Sequence, residues 1–191
     1  MQQNQQEAIV QRAKGLPELT RIEIGTPQKE RGFFRFEVNL GAEASLDGGH
    51  IKRGVAQPNA PGYGAFQLIC DEGKMIGGED TAPAPLSYLA AGIAFCFLSH
   101  ISIYIHAKQL NVRSARVEQK MRFKAAALVM AETSDTRPKG ECDGIEIFVF
   151  IDSDETRETI MEMIKSCEAA CMGLQTAVNS VTARINLVQA A

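Results

Sequence analysis

The residues of this sequence that are best suited to chemistry are its cysteines, which are Cys70, Cys96, Cys142, Cys167 and Cys171. A thiol can attack an electrophilic atom, form a disulfide or bind a metal, and it can equally be a small buried hydrophobic side chain. Five cysteines in a chain of 191 residues fit a reducing compartment, where thiols stay unpaired. The opening residues also lack the basic start and apolar block of a secretory signal, so we expect a cytoplasmic protein.

Cys96 lies about twelve residues into a long apolar segment, beyond the reach of a helix N-terminal dipole. A reactive thiolate at this position therefore needs a cation nearby. His100 follows one helical turn later on the same face, although a buried histidine bonded to the backbone would look the same. Arg53, in the stretch GGHIKRG, is the second candidate, because a guanidinium stays charged and can donate hydrogen bonds to a peroxide oxygen. Its alternative role is that of a solvated loop arginine.

Two further thiols, Cys167 and Cys171, are spaced one helical turn apart. They could pair with each other in a regular helix only with strain, but either could approach Cys96 from a facing helix as a resolving thiol. They could equally be two small core residues. Together with His100 the three cysteines would make a Cys3His set, but their spacing lacks the tight ligand pairs of zinc sites. We expect no metal, and no cofactor motif is present.

The segment that carries Cys96 predicts a helix over residues 84–109, with prolines in its approach and first turn. It is apolar nearly all round, which predicts burial nearly all round. Its length also suits a membrane span. However, no second such segment exists and its flanks are not basic, so we interpret it as the central helix of a soluble core.

The other segments predict a fold in which strands and helices occur in blocks. We expect a short N-terminal helix at 4–14, a long loop at 41–64, a polar loop at 132–144, and strands at 19–24, 33–40, 66–70, 112–124, 145–151 and 181–187. The strand at 112–124 alternates with one wet face, and that at 145–151 is expected to be more fully buried. A second helix carries one apolar stripe, formed by Ile160, Met163, Ile164, Cys167, Cys171 and Leu174.

This order of elements indicates an α+β protein with an antiparallel-rich sheet covering the long helix. We expect residues 1–45 to be an N-terminal helix and strand extension, and residues 46–191 to form the main domain. The net charge of −3 gives no case for binding nucleic acid or an anionic membrane.

Three stretches, GGHIKRG, GGEDTAPAPLSYLAAGIAFCF and SCEAACMGLQTAVNSVTARINL, resemble in order and spacing the OsmC and Ohr family of osmotically inducible and organic hydroperoxide resistance proteins. The family pattern is a proline-led helix with a cysteine about ten residues in, and a second cysteine about ten residues before a final strand. Cys96 matches the first cysteine, and Cys171 matches the second better than Cys167 does. The resemblance covers residues 48–188.

The resemblance implies an OsmC-like α+β fold and an intertwined homodimer with two active sites at its interface. It implies a peroxiredoxin-like reduction of organic hydroperoxides in oxidative-stress defence. Cys96 would attack the hydroperoxide oxygen and Cys171 would form the resolving disulfide. A dithiol, from a lipoylated or a thioredoxin-like protein, would then reduce that disulfide. Arg53 matches the arginine that stabilises the thiolate.

Several positions depart from the family pattern. The hydroperoxide reductases carry a glutamate just after the proline that leads the helix, where this chain has Leu86, while Glu79 and Asp80 lie in the preceding turn. Met172 stands where a proline usually follows the second cysteine, and His100 is not part of the pattern. These departures keep two other hypotheses open. The first is a non-catalytic protein that binds a small apolar ligand at the dimer interface, and the second is a stoichiometric redox sensor.

Overall fold

A computed structural model of the chain describes residues 8–15, 25–30, 33–45, 49–125 and 140–188. The residues group into two compact units, 1–88 and 89–191. Every strand pairing among the described residues is antiparallel, and helices accompany the sheets. The prediction of an α+β fold with antiparallel sheets is therefore confirmed.

The first unit is built on short strands. They are β1 (Val10–Ala13), β2 (Gln28–Glu30), β3 (Phe33–Arg35), β4 (Val38–Ala44), β5 (Lys52–Pro58) and β6 (Ala65–Cys70). One sheet has the order β1-β6-β5-β4, and β2 pairs with β3 in a separate ribbon. The predicted strand at 66–70 is confirmed as β6. The predicted strand at 33–40 is divided between β3 and β4, and the one at 19–24 lies outside the described residues.

Two other predictions for this unit are wrong. In the described part of the predicted helix at 4–14, residues 10–13 form β1, whose Val10 lies opposite Leu68 of β6. A weakly patterned segment beside an open strand edge gains backbone hydrogen bonds by joining the sheet. The predicted loop at 41–64 is largely the hairpin of β4 and β5. Gly54 permits this close pairing, since an added Cβ would lie 3.1 Å from the Cβ of Ala42.

The predicted boundary between residues 45 and 46 falls in the connection between β4 and β5. These two strands pair along their whole length, from Val38 opposite Pro58 to Ala44 opposite Lys52. The division of the chain into an extension and a main domain stays a prediction.

The second unit contains a long hairpin and helices. Its strands are β7 (Val112–Ala125) and β8 (Gly140–Ser153), and its helices are α1 (Pro85–Lys108), which begins in the first unit, α2 (Arg157–Ala170) and α3 (Met172–Val178). The helix predicted at 84–109 is confirmed as α1. Gln109 follows it with a φ of 54°, the left-handed conformation in which helices commonly end.

The hairpin has one covered face and one wet face. Its inner residues pack on the core of the unit and are Ala115, Val117, Met121, Ile145, Ile147, Val149 and Ile151. The outer face carries ion pairs such as Arg122–Glu146 and Lys124–Glu141, each at 2.7 Å.

The alternation predicted for 112–124 is confirmed. The fuller burial predicted for 145–151 is wrong, because Phe148 and Phe150 are exposed on the outer face. Residues 140–144 of the predicted polar loop belong to β8, and residues 126–139 lie outside the described part.

The core of the second unit joins α1 to α2 and α3. Its buried members are Ile93, Phe97, Ile101, Met163, Cys167, Cys171 and Leu174. The three residues from α1 recur every fourth position, which places them on one side of the helix. The apolar stripe predicted for the second helix is therefore confirmed. The helix itself is interrupted at Cys171, where α2 gives way to α3.

The burial predicted for α1 is wrong within this single chain. Ile93, Phe97 and Ile101 are buried, whereas Phe95 is 68% exposed and Ile103 is 63% exposed. One hairpin and one helix pair can cover only one side of a helix that is apolar nearly all round. α1 is also long and apolar enough to cross a membrane, but the core helices of soluble proteins have the same length and composition.

The last described segment, residues 181–188, forms no strand, so the strand predicted at 181–187 is wrong in this chain. Ile185 is 99% exposed and Leu187 is 88% exposed. Alternating apolar residues form a stable strand only when a neighbouring strand and a covered face are available. Among the described strands, none pairs with this segment.

The connection from β6 towards α1 is held by the buried carboxylate of Asp71. Its Oδ1 accepts the N–H of Glu72 at 2.8 Å, and its Oδ2 accepts the N–H groups of Glu79 at 3.2 Å and Thr81 at 3.0 Å and the Thr81 hydroxyl at 2.9 Å. These hydrogen bonds, led by that from the Thr81 N–H, outweigh the effect of burial and lower the pKa of Asp71 to about 2. The turn therefore depends on an ionised carboxylate.

We expect Asp71→Asn to lower the midpoint of thermal unfolding by several degrees, because an amide NH2 would face donors where a carboxylate oxygen accepts them. Asp80→Asn, in the same turn but exposed, is the matched control and should leave the midpoint unchanged. The stabilisation from Asp71 is fully present above its ordinary pKa of 3.8 and is lost as the pH falls towards about 2. The difference between wild type and Asp71→Asn should accordingly shrink at low pH. An equal difference at pH 3 and pH 6 would contradict this account.

Candidate functional site

The thiol of Cys96 meets the first turn of α3 across the core of the second unit. The N–H of Gly173 points to the Cys96 Sγ with a separation of 3.4 Å. A Cβ added to Gly173 would lie 3.2 Å from the Cβ of Cys96 and 3.3 Å from the Cα of Ile93. The absence of a side chain at Gly173 thus allows a backbone donor to reach the half-buried sulfur. No sequence pattern singled out Gly173, although its place two positions after Cys171 was a usable signal.

Cys171 lies at the junction of α2 and α3. Its backbone leaves the helical conformation, with a ψ of 98°, and its Sγ accepts the N–H of Leu174 at 3.4 Å. Burial raises the pKa of this thiol, and the neighbouring Cys96 thiol raises it further, while the N–H of Leu174 acts in the opposite direction. The structure therefore brings Cys96 and Cys171 together in one apolar environment.

Cys167 is the third thiol of this core. It is 1% exposed and lies one helical turn before Cys171, on the same apolar side of α2. Burial raises the pKa of Cys167, and the nearby Cys171 adds to that increase. All five cysteines of the chain are unpaired. Cys70 lies in the first unit, and Cys142 is exposed on β8.

His100 is half-buried on α1, four residues after Cys96. The hydrogen bonds and ion pairs found among the described residues do not involve its side chain. Helical geometry places positions four apart on neighbouring turns of one face. A role for His100 beside the thiol stays a prediction.

Arg53 belongs to β5, which corrects the expectation that it lies in a glycine-rich loop. It stands opposite Glu43 of β4 and Ile69 of β6, and it lines a small hollow of about 120 Å³ together with Glu43, Ala44 and Ser45. The adjacent Lys52 forms an ion pair with Glu72 at 2.7 Å. The family resemblance implies a role for Arg53, and not for Lys52, at the Cys96 thiol. That role stays a prediction.

An apolar pocket of about 300 Å³ opens beside the same core. It is lined by Phe97 of α1, by Ile145, Ile147 and Val149 of β8, and by Ile164, Glu168, Leu174, Gln175 and Val178 of the second helical region. Glu168 and Gln175 are its polar lining residues, and the side chain of Gln175 donates to the Glu168 carbonyl at 3.0 Å. The lining suits a small molecule that has both an apolar part and polar atoms. In the described part of the chain, no group of three or more His, Cys, Asp or Glu side chains could hold a metal ion.

Residues 78–186 match the sequence profile of the family described as OsmC-like protein, which covers more than half of the chain. The chain belongs to the OsmC-like family. The resemblance inferred from the surroundings of Cys96 and Cys171 is thereby confirmed. No curated protein sequence matches the chain at a significant level.

Solved structures of OsmC-like proteins share this fold. An OsmC-like hydroperoxide resistance protein from Jannaschia sp. CCS1 aligns with a TM-score of 0.50 and 19% identity, over 81% of this chain and 94% of that chain. An OsmC-like protein of unknown function from Vibrio cholerae aligns with a TM-score of 0.50 and 8% identity, over 75% of this chain and 94% of that one. At such identities the likeness shows the fold alone.

This OsmC-like chain begins α1 without an acidic residue in its first turn. Leu86 is 50% exposed there, and Glu79 and Asp80 are exposed in the preceding turn. Glu79 contributes its backbone N–H to Asp71, so its part in the turn is structural. The hydrogen-bond donor found at the Cys96 sulfur is the backbone of Gly173.

We expect Gly173→Ala to destabilise the protein by about 1–3 kcal/mol, because the new methyl group would press on Cys96 and on the backbone of Ile93. Gly92→Ala is the matched control, since a Cβ at this exposed position of α1 meets nothing within 4 Å. Alanine should stabilise that helix by about 0.5–1 kcal/mol. Urea denaturation of both variants measures the difference, and equal effects of the same sign would contradict the close approach at Gly173.

Proposed function

We propose that this OsmC-like protein reduces organic hydroperoxides through a cysteine pair, with Cys96 as the attacking thiol and Cys171 as the resolving thiol. The observation that carries the proposal is that the two thiols are neighbours and that the Gly173 N–H is directed at the Cys96 sulfur. A donor at the sulfur is complementary to negative charge on it. Cys96 is only half-buried, which suits the thiol that meets the oxidant, whereas Cys171 is fully buried.

The proposed reaction has two steps. The Cys96 thiolate attacks the distal oxygen of the hydroperoxide, the O–O bond breaks, and the alkoxide takes a proton and leaves as an alcohol, so that Cys96 becomes a sulfenic acid. Cys171 then attacks the Cys96 sulfur, the S–O bond breaks, and water leaves as the disulfide forms. An external dithiol, from a lipoylated or thioredoxin-like protein, reduces the disulfide and completes the cycle.

Two further features support a role in oxidative-stress defence inside the cell. The Jannaschia protein that shares the fold is named as a hydroperoxide resistance protein. The five cysteines of this chain are unpaired, which suits the reducing cytoplasm that its sequence predicts. In that compartment a dithiol reductant is available to return Cys96 and Cys171 to their thiol forms.

Arg53 and His100 are the two candidate cations for the Cys96 thiolate. His100 can act from within α1, one turn away from the thiol. Arg53 is the candidate that the family resemblance implies, and its permanently charged guanidinium can also donate to hydroperoxide oxygens. Because Leu86 replaces the acidic residue of the hydroperoxide reductases, Arg53 would have to be positioned by other groups. Glu43, opposite to it on β4, is one such group.

We also propose that the protein works as a homodimer. The exposed side of α1 presents Leu89, Phe95 and Ile103, which are 45%, 68% and 63% exposed. The alternating segment at 181–188 exposes Ile185 and Leu187 as well. Large apolar side chains exposed in this way favour association, because their burial removes them from water. A second copy of the chain is the partner that the family resemblance implies.

A second candidate function is favoured by the apolar pocket between β8 and the second helical region. A non-catalytic OsmC-like protein would use this pocket, or a dimer interface beside it, to hold a small apolar ligand. The raised pKa values of Cys167 and Cys171 favour the neutral thiol and thus suit such a role. A redox sensor would oxidise the same thiols as the enzyme. It would do so stoichiometrically, without catalytic turnover.

Reduced protein treated with cumene hydroperoxide should form a Cys96–Cys171 disulfide as its first oxidation product, as followed by peptide mass spectrometry. Cys96→Ser should abolish this product, and Cys171→Ser should leave a Cys96 sulfenic acid that dimedone traps. Cys142→Ser, which removes an exposed thiol outside the core, is the control and should behave as wild type. Slow or absent oxidation, with all five thiols still alkylatable, would move the assignment to the ligand-binding function.

Arg53→Gln should slow the oxidation of Cys96 by about 10–100-fold, because it removes a charged donor to the thiolate and the oxidant. Arg157→Gln, which removes an exposed arginine of α2, is the matched control. His100→Gln tests the other cation in the same stopped-flow measurement. Unchanged rates in both Arg53→Gln and His100→Gln would leave the Gly173 N–H as the group that activates Cys96.

A further inference from the structure

The proposed reaction leaves one fully buried nucleophile without a role. Cys167 belongs to the same apolar core as Cys96 and Cys171, and all three sulfur-bearing side chains pack in one cluster with Met163 and Leu174. Cys167 and Cys171 are 1% and 0% exposed, so neither is open to reagents in the solvent. A thiol in this position can react only with a neighbouring group of the protein.

The junction between α2 and α3 determines which neighbouring group the Cys167 thiol can react with. In a regular helix, side chains four residues apart have Cβ atoms about 5–6 Å apart, whereas a disulfide needs about 3.5–4.5 Å. At Cys171 the helix is broken, since its ψ is 98° and α2 ends at Ala170. The Cys171 N–H bonds to the Glu168 carbonyl at 3.4 Å, a tighter turn than that of an α-helix. The spacing that separates the two thiols in a regular helix therefore does not hold at Cys171.

Cys171 is a neighbour of both other thiols, since Cys167 lies one helical turn before it and Cys96 packs against the same core cluster. Cys171 raises the pKa of Cys167, and Cys96 raises the pKa of Cys171, in each case in addition to the larger effect of burial. Cys171 thus has one thiol neighbour on α1 and another on α2. A disulfide at Cys171 can therefore be attacked from the side of Cys167.

We propose that Cys167 is a third redox residue, which receives the disulfide from the Cys96–Cys171 pair and returns Cys96 to its thiol form. This inference rests on the proposed hydroperoxide reduction, which supplies the first disulfide. The Cys167 thiolate attacks the Cys171 sulfur, the Cys167–Cys171 bond forms and the Cys96–Cys171 bond breaks. Cys96 leaves as a thiolate and takes up the proton that Cys167 lost. No external oxidant or reductant is consumed in this exchange.

The exchange has two consequences that can be measured. Burial disfavours the Cys167 thiolate, so the exchange should be slower than formation of the first disulfide, and both species should be observable in turn. Once Cys96 is returned to a thiol, it can react with a second hydroperoxide molecule before any reductant is added. Without a reductant, wild type should consume about two equivalents of hydroperoxide per chain, whereas a chain without Cys167 should consume about one.

The experiment treats the full-length reduced protein with cumene hydroperoxide, without reductant, and quenches samples with acid over time. Alkylation under denaturing conditions and peptide mass spectrometry then identify each disulfide, while the loss of hydroperoxide is measured in parallel. In wild type we expect Cys96–Cys171 first and Cys167–Cys171 later. In Cys167→Ser we expect Cys96–Cys171 to persist, and in Cys96→Ser we expect no disulfide. Cys167→Ala, checked for folding by circular dichroism, should behave as Cys167→Ser.

Two results would overturn the inference while leaving the proposed function intact. The first is a wild-type protein whose Cys167 stays fully alkylatable while Cys96–Cys171 persists and about one equivalent is consumed. The second is a Cys96–Cys167 disulfide in Cys171→Ser that forms as fast as the first disulfide of wild type, which would make Cys167 an alternative resolving thiol. Failure of the proposed function has a different signature, since Cys96 would then form neither a sulfenic acid nor a disulfide.

Discussion

The second unit depends on the close approach of the α3 backbone to α1 at Gly173. The missing side chain lets the first turn of α3 lie against Ile93 and Cys96, and the N–H of Gly173 then meets the Cys96 sulfur. This approach requires the chain to turn at Cys171, because an unbroken helix would continue in the direction of α2. The turn is stabilised at the same residue, whose sulfur accepts the N–H of Leu174 as an N-cap. One position therefore ends a helix, begins the next and supplies a thiol.

The thiols of this core differ in burial and in their hydrogen-bond partners. Burial raises the pKa of Cys167 and Cys171, so both are held as neutral thiols at neutral pH. Cys96 is half-buried and has a backbone donor at its sulfur. In the proposed function the first attack is therefore given to Cys96, and the later steps are given to the buried thiols, which would attack only a neighbouring sulfur. The order of reaction in the proposed function thus follows from burial and from a single backbone hydrogen bond.

The sequence was sufficient for the parts of the fold that depend on local patterns. α1 was predictable from its length, its apolar composition and its prolines, and β7 was predictable from strict alternation. Periodicity placed Cys167 and Cys171 on the core side of a helix without choosing between them, and only the family resemblance paired Cys96 with Cys171. The first unit was harder, because β1 and the hairpin of β4 and β5 contain few strongly patterned residues. Their structure comes from pairing with β6, a long-range interaction that no local pattern encodes.

Other features were hidden for different physical reasons. The stripe at Cys167, Cys171 and Leu174 continues through the junction of α2 and α3, so periodicity alone indicated one helix where there are two. Gly173 has no side chain by which to recognise its role, which is to let another residue approach. Phe95 and Ile103 were expected to be buried because composition cannot say which chain covers a helix face. A helix that is apolar on every side has the sequence pattern of a buried helix in two cases. Its second side can be covered by the same chain or by another copy of the chain.

Leu86 stands where the hydroperoxide reductases have an acidic residue. A thiolate at Cys96 would therefore have to be stabilised by a different arrangement of groups. In the hydroperoxide reductases that the sequence resembles, a carboxylate holds the arginine that faces the thiolate. Here the first turn of α1 carries no acidic residue, and the acidic residues just before it serve the Asp71 turn or lie exposed. The donor at the Cys96 sulfur comes instead from the backbone, which has no side-chain freedom to lose and does not titrate. Because that donor is fixed by the packing of Gly173, the proposed reactivity of Cys96 would depend on the junction between α2 and α3 as well as on any cation near the thiolate.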